Sequence, residues 1–226
     1  MSSERAADES GGDLPRLPPG RHGLPREFVV RNQRDRIAAG MIATVAELGY
    51  HEATITRIVE AAGVSSRTFY TYFSTKEECY LDTFDVIVGH LTAEMNAAVE
   101  TAEVEWPQTV EVRLLAMIEA LADNPDLVLF CFVSLGTEGP AVTRHRRWME
   151  EMLALITAEM PASLSADDPS PAAGQAIVGG LSALLLREVR SGRGKDLVAL
   201  VPSLVELVLT PYVGREAAAQ AASHHA

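Results

Sequence analysis

Apolar positions recur with a helical period along almost the whole chain, beginning near Glu27. Ile37, Met41, Ile42, Val45 and Leu48 fall at i, i+4, i+5, i+8 and i+11, one face of a helix, and Gly49 is a C-terminal stop. Thr54 stands where an N-cap would accept from the next turn, and Ile55, Ile58, Val59 and Ala62 then repeat at i, i+3, i+4 and i+7. Gly63 breaks this short helix. Ser65 can cap a third, which runs to about Phe73 with Phe69 and Phe73 facing inward. Thr75 and Glu78 have capping-box spacing at the head of a fourth. From there the pattern predicts helices over about 76–104, 107–122, 125–135, 140–160, 171–191 and 196–212. Turn chemistry separates them: Trp106-Pro107, Asn124-Pro125, Gly136 to Pro140, Pro161 to Pro171, and Gly192-Arg193-Gly194. No alternating run marks a strand, so the expected fold class is all-α.

The chain divides by composition. Residues 1–26 are rich in proline and glycine, carry no apolar period and read as a flexible arm. Arg16, Arg21 and Arg26 stud its second half, as in a solubilising tail or in a basic arm that reaches DNA. Residues 27–74 form a small three-helix unit, 75–213 a larger helical body, and 214–226 an Ala-rich tail expected to fray. With 226 residues, 47% of them hydrophobic, there is enough apolar material for a real core. Cys79 and Cys131 form no CxxC; this excludes a disulfide framework and a cysteine zinc cluster, and fits a reducing cytoplasm. The uncharged stretch near 171–186 is too short and too broken to span a bilayer, and the acidic N-terminus does not read as a signal peptide.

Charge changes the picture more than composition does. The chain carries a net −12, yet residues 21–73 hold seven arginines against five acids. Residues 74–226 hold ten bases against twenty-two acids. Taken whole, this is a poor polyanion binder; taken by segment, a short positive region sits on an acidic body. Any nucleic-acid site belongs in 21–73.

That region contains a short amphipathic helix, a glycine turn and a second short helix, which together make a helix-turn-helix. Gly63 supplies the backbone freedom of the turn. Ile58, Val64, Phe69 and Phe73 pack the helices together, leaving Ser66, Arg67, Tyr70 and Thr71 outward at i, i+1, i+4 and i+5. A face with Arg, Tyr and hydroxyls and no carboxylate suits phosphates and base edges. Residues 54–78, TITRIVEAAGVSSRTFYTYFSTKEE, resemble the DNA-binding domain of TetR-family transcriptional regulators: Ala62-Gly63-Val64-Ser65, Thr68-Phe69-Tyr70, Tyr72-Phe73 and Lys76-Glu77 fall at that family's spacing. The resemblance implies a cytoplasmic homodimer on a palindromic double-stranded operator, usually a repressor released by a small effector. It also implies that Ser65, Thr68, Tyr70, Tyr72 and Lys76 touch phosphates. Thr54 would lie near the backbone, and Ser66, Arg67 and Thr71 would sit where bases are read. Arg67 is open to two roles, two parallel donors to a guanine or a phosphate contact.

In the body, Leu197, Leu200, Val201, Leu204, Val205 and Val208 make a stripe at helical spacing, and Ile177, Leu181, Leu184 and Leu185 precede it beside Gly179 and Gly180. Apolar on more than one side, these two helices are expected to pack on their own core and on a second subunit, with Ile177, Leu181, Leu184, Leu200, Leu204 and Val208 at the interface. Plain intrachain core is the alternative. Met95, Met117, Phe130, Phe132, Trp148 and Met152, with Met149, are adaptable or aromatic residues that either line an apolar effector site or fill the core. An acidic body favours a cationic or neutral apolar effector over a nucleotide. The run Arg144-His145-Arg146-Arg147 pairs with nearby acids such as Glu150 and Glu151 or holds a ligand anion.

No HExxH, GxGxxG after a strand, GxxxxGK[ST] or GxSxG is present, and the first four histidines have no metal-binding spacing. No catalytic residue, metal or cofactor is therefore expected. Rival readings are a regulator of the same fold without a ligand, a small helical enzyme, or a helical adaptor that binds only protein.

Overall fold

The structure is a computed structural model that describes residues 26–102, 104, 106–133, 135, 136, 138–161 and 171–222. Its elements are α1 (Arg26–Leu48), α2 (Ile55–Ala62), α3 (Ser66–Tyr72), α4 (Lys76–Ala102), α5 (Gln108–Asp123), α6 (Asp126–Cys131), α7 (Pro140–Ile156), α8 (Pro171–Arg190), a 3-10 turn (Gly194–Leu200) and α9 (Val201–Ala222). There is no strand among the described residues. Apart from Arg26, where α1 begins, the expected arm over 1–26 lies outside them.

The first three helices close around one small core. Ile37, Met41 and Val45 of α1 meet Ile58 of α2 and Phe69 of α3, all essentially buried, while Ile42 and Leu48 stay half-buried. At Gly40 the backbones of α1 and α2 come so close that a Cβ would stand 2.6 Å from the Ile58 carbonyl oxygen. Arg36 of α1 clamps the far end of α2, donating to the carbonyls of Ala62 (2.7 Å) and Gly63 (2.6 Å).

The helix α4 starts beside this unit and runs into the body, where α5 is the central helix. It packs against α4, α7, the 3-10 turn and α9. The two parts also meet where α6 rests on α1. Aromatic rings fill that junction. Tyr50, just after α1, stands edge-on to Tyr80 of α4 at 4.9 Å, and Tyr80 lies 4.8 Å from Phe130 of α6.

Two expectations change at the C-terminal end. The segment from 214 does not fray within the described residues: α9 kinks at Gly214 and continues to Ala222, with Ala218, Ala221 and Ala222 buried. Its alanines are a small-residue packing face, which composition alone does not separate from a loose tail. The reading of a broken, uncharged stretch near 171–186 changes too. Ala172–Arg190 and Gly194–Ala222, with mean hydropathies of 1.2 and 1.8, are long and apolar enough to cross a membrane by length and composition. Both pack within the helical body, α8 against α6 and α7 and α9 against α5.

Candidate nucleic-acid interface and helical body

The helix-turn-helix is built by its caps. The Thr54 hydroxyl accepts from the Arg57 N–H at 3.4 Å, and the Ser65 hydroxyl accepts from the Thr68 N–H at 3.1 Å. Between the helices, Gly63 takes φ +60°, a left-handed conformation that favours glycine. The Gly63 N–H donates to the Glu60 carbonyl and the Val64 N–H to the Val59 carbonyl, both at 3.0 Å. That pair of bonds is a Schellman closure, and it fixes the angle at which α3 leaves α2. Glu78 accepts from the Ser74 N–H at 2.6 Å while Thr75 accepts from the Glu78 N–H at 3.0 Å, so α4 opens on reciprocal capping.

These constraints aim α3 outward. Ser66, Arg67, Tyr70 and Thr71 are exposed, as are Thr54 and Ser65 before them, and Tyr70 is 58% exposed. The Thr71 hydroxyl donates back to the Arg67 carbonyl at 2.9 Å. Thr68 is half-buried, its hydroxyl 2.9 Å from that of Ser65. Sequence reasoning missed Arg57, exposed on α2, which adds a cation to the same unit. It also missed Arg36 and Gly40, which set the geometry from α1. A glycine interrupting an apolar helical face was the available signal for Gly40.

Two of the residues expected at phosphates make contacts within the chain. The Tyr72 hydroxyl donates to Gln33 Oε1 of α1 at 2.7 Å and is half-buried. Lys76 donates to the Tyr50 carbonyl at 2.7 Å, and its ammonium stands 4.4 Å from the centre of the Tyr50 ring. Burial lowers its pKa, against a smaller opposing effect of Glu52. Lys76 thus fastens α4 to the connection between α1 and α2. Residue type and spacing do not show this, because the partners lie 26 positions away.

In the body, four of the six residues expected at a subunit interface are buried in the chain's own core: Ile177, Leu181, Leu204 and Val208. Leu184 and Leu200 are half-buried. The correction has a simple physical cause. A stripe at i, i+3 and i+4 turns to the nearest apolar surface, and for α9 that surface is α5. The exposed positions of α8 and α9 include the small Gly179, Ala183 and Ser203, beside the polar Gln175, Arg187 and Glu206. Gly180 serves contact within the chain, since a Cβ there would stand 3.0 Å from Leu207.

The expected ligand-lining residues separate into two groups. All six are buried; Met117, Phe130 and Phe132 pack in the core outside the cleft between α4 and α7, with Phe130 against Tyr80 and Phe132 against Trp148 at 5.4 Å. Met95, Trp148 and Met152 line that cleft, about 390 Å³, together with Val88 and Leu155. Its polar edge is Asp85, Arg144 and Glu151. Arg144 donates to Asp85 at 2.6 Å and to Glu151 at 3.5 Å, and Arg147 donates to Glu151 at 2.8 Å. His145 lies deeper, its Nε2 2.8 Å from the Cys131 carbonyl oxygen, and burial lowers its pKa more than that bond raises it. No group of His, Cys, Asp and Glu among the described residues is arranged to hold a metal ion.

Residues 42–83 match the family described as bacterial regulatory proteins, tetR family. An uncharacterized HTH-type transcriptional regulator of Mycobacterium tuberculosis (strain ATCC 25618 / H37Rv) is 28% identical over 127 residues, covering 53% of this chain and 57% of that protein. The fatty acid metabolism regulator protein of Bacillus subtilis (strain 168) is 32% identical over 60 residues, 26% of this chain and 31% of the relative. The chain thus spans little more than half the length of the longer-matching relative. Among solved structures, a transcriptional regulator FadR from Bacillus subtilis, in complex with stearoyl-CoA, superposes with a TM-score of 0.64 at 19% identity, over 80% of this chain and 98% of that one. The stretch matched by the family model is the one that builds the helix-turn-helix, and over that stretch the chain is similar to bacterial regulatory proteins of the tetR family.

Proposed function

We propose that this chain is a sequence-specific DNA-binding transcriptional regulator, a homodimer on a palindromic operator, acting as a repressor that a small apolar effector releases. The observation that carries the reading is the outward face of α3: Ser66, Arg67, Tyr70 and Thr71 are exposed together, without a carboxylate, in the one segment with a positive balance. Such a regulator works in the cytoplasm and has no catalytic role. Its test is selection of duplexes from a random pool, followed by mobility shift. The reading expects a palindromic sequence whose retarded migration is lost when the sequence is scrambled. Failure to enrich any sequence overturns it.

Support for the dimer comes from the apolar windows of α8 and of the 3-10 turn with α9. Only 28% and 33% of their residues are buried inside the chain. Apolar helices left so uncovered gain by packing on a second copy, and two helices from each copy make a four-helix bundle.

For the effector, the apolar floor of the α4–α7 cleft and its charged edge fit an amphiphile with a long chain. The solved FadR with stearoyl-CoA makes an acyl thioester of that kind the first to try. The phosphates of CoA meet an acidic body here, so a free long-chain fatty acid belongs beside it in the same titration. The effector must bind the DNA-incompetent state better, and operator DNA must then weaken its binding by the same factor. Calorimetry with and without operator measures this directly, and equal affinities would exclude an inducer.

A further inference from the structure

Along the outer side of α4, two clefts run into one another. The first, about 570 Å³, lies between α1 and α4 and takes in Val30, Ala38 and Ile42. The second, about 820 Å³, lies between α4 and α5, floored by Ala97, Ala98, Ala116 and Ala120. Val86 and Ile87 line both, and Val86 is 69% exposed, the most exposed large apolar side chain among the described residues. The rim of the second cleft carries Glu94, Glu119 and Asp123 with no lysine or arginine; its remaining ionisable group, His90, stands 3.7 Å from Glu94. The first cleft balances Arg31 and Arg34 against Asp35 and Asp82, so the trough is apolar along its floor, neutral over the first cleft and negative over the second.

We propose that residues 14–25 of this same chain occupy the trough. The segment LPRLPPGRHGLP holds three leucines, two arginines and four prolines, and no acid. Its charge is opposite to that of the rim, and its leucines supply apolar surface for the floor. Prolines bring no backbone N–H, so laying them on an alanine floor strands fewer donors than other residues would, and they favour an extended form. The attachment point is close: α1 begins at Arg26, and Val30, one turn later, already lines the trough. Twelve residues in polyproline form reach about 37 Å, while Val86 to Thr101 along α4 is about 22 Å. The arm can thus cover both clefts without displacing any helix. This inference is independent of DNA binding, and its test contains no DNA.

The test uses the full-length chain with two added thiols. Its own Cys79 and Cys131 are buried, and burial pushes both thiols up to about 12, so they stay out of the exchange. The Leu17→Cys/Val86→Cys chain is compared under mild oxidation with Leu17→Cys/Ala39→Cys, because Ala39 is exposed on α1 and lines neither cleft. Docking raises the local concentration of one thiol at the other, so the intrachain disulfide should form at least about tenfold faster in the first chain. Adding Arg16→Glu and Arg21→Glu to that chain should remove most of the difference. Equal rates for the two pairs would overturn the proposal. So would a crosslinked dimer in place of a crosslinked monomer, which would assign the trough to the arm of a second copy.

Discussion

Lys76 holds the first turn of α4 against Tyr50, donating to its carbonyl at 2.7 Å while the ammonium stands 4.4 Å from the centre of its ring. The residue that begins the helix leading into the body is thus tied to the turn that ends α1. A Lys76→Met substitution keeps most of the apolar stem and removes the charge-assisted bond and the cation–π contact. It should lower stability by about 1–2 kcal/mol, read from denaturant unfolding. Salt titration of operator binding separates this role from a phosphate contact. A lysine bound to phosphate would lower the salt slope by about one on substitution. An unchanged slope with reduced stability is expected here. A reduced slope with unchanged stability would return Lys76 to the DNA.

For α3 the expectation is the reverse. Arg67→Ala and Tyr70→Ala alter exposed side chains, so stability should move by no more than about 0.5 kcal/mol. Specific DNA binding should weaken, by about 1–3 kcal/mol if Arg67 makes a bidentate guanine contact. In that case discrimination relaxes at one base position of the operator. A phosphate contact would instead weaken all sequences alike. Wild-type affinity in both variants would remove α3 from the interface.

The contrast between Lys76 and Arg67 shows what the sequence can carry. Caps and turns are local: Thr54, Gly63 and Ser65 are each recognisable within four residues of the groups they satisfy, and the helix-turn-helix was legible for that reason. Long side chains choose among distant partners. Tyr72 reaches Gln33 and Lys76 reaches Tyr50, across 39 and 26 positions, and no periodicity reports such a choice. The apolar stripes of α8 and α9 were visible as well, but a stripe states only that a face is buried. It does not say whether the cover is α5 or another chain.

That distinction decides how the dimer must be tested. Leu204 is fully buried within the chain, so Leu204→Glu should unfold the body and tells nothing about association. Ala183 is exposed on α8, and Ala183→Glu places a carboxylate on the outward face, where the proposed dimer would press it against a second copy. This variant should sediment as a folded monomer with native helix content, and it should lose operator binding because two recognition helices no longer act together. Sedimentation of Ala183→Glu as a dimer would move the interface away from α8.

The last expectation concerns acid. His145 Nε2 lies 2.8 Å from the Cys131 carbonyl oxygen, which can only accept, so that nitrogen carries the proton and donates. Phe84 and Trp148 stand beside the ring, with centroids at 5.9 and 5.8 Å. Burial disfavours the imidazolium, and the folded pKa falls below the ordinary histidine value, although the bond to Cys131 opposes the shift. An unfolded chain therefore takes up a proton that the folded chain resists. Stability is full above the ordinary histidine pKa of about 6.5, declines as pH falls from there toward the lowered folded value, and levels off below it. Urea unfolding of the wild type between about pH 7 and pH 5 should show this decline, and His145→Gln should flatten it. The same protonation would press a charge into the junction of α6 and α7, next to Trp148 at the floor of the α4–α7 cleft. Effector affinity, a property of the folded chain, should then fall only as pH drops through the lowered folded pKa, at the acid end of the stability decline, and stay level in His145→Gln. An acid decline that persists unaltered in the variant would show that other groups carry it.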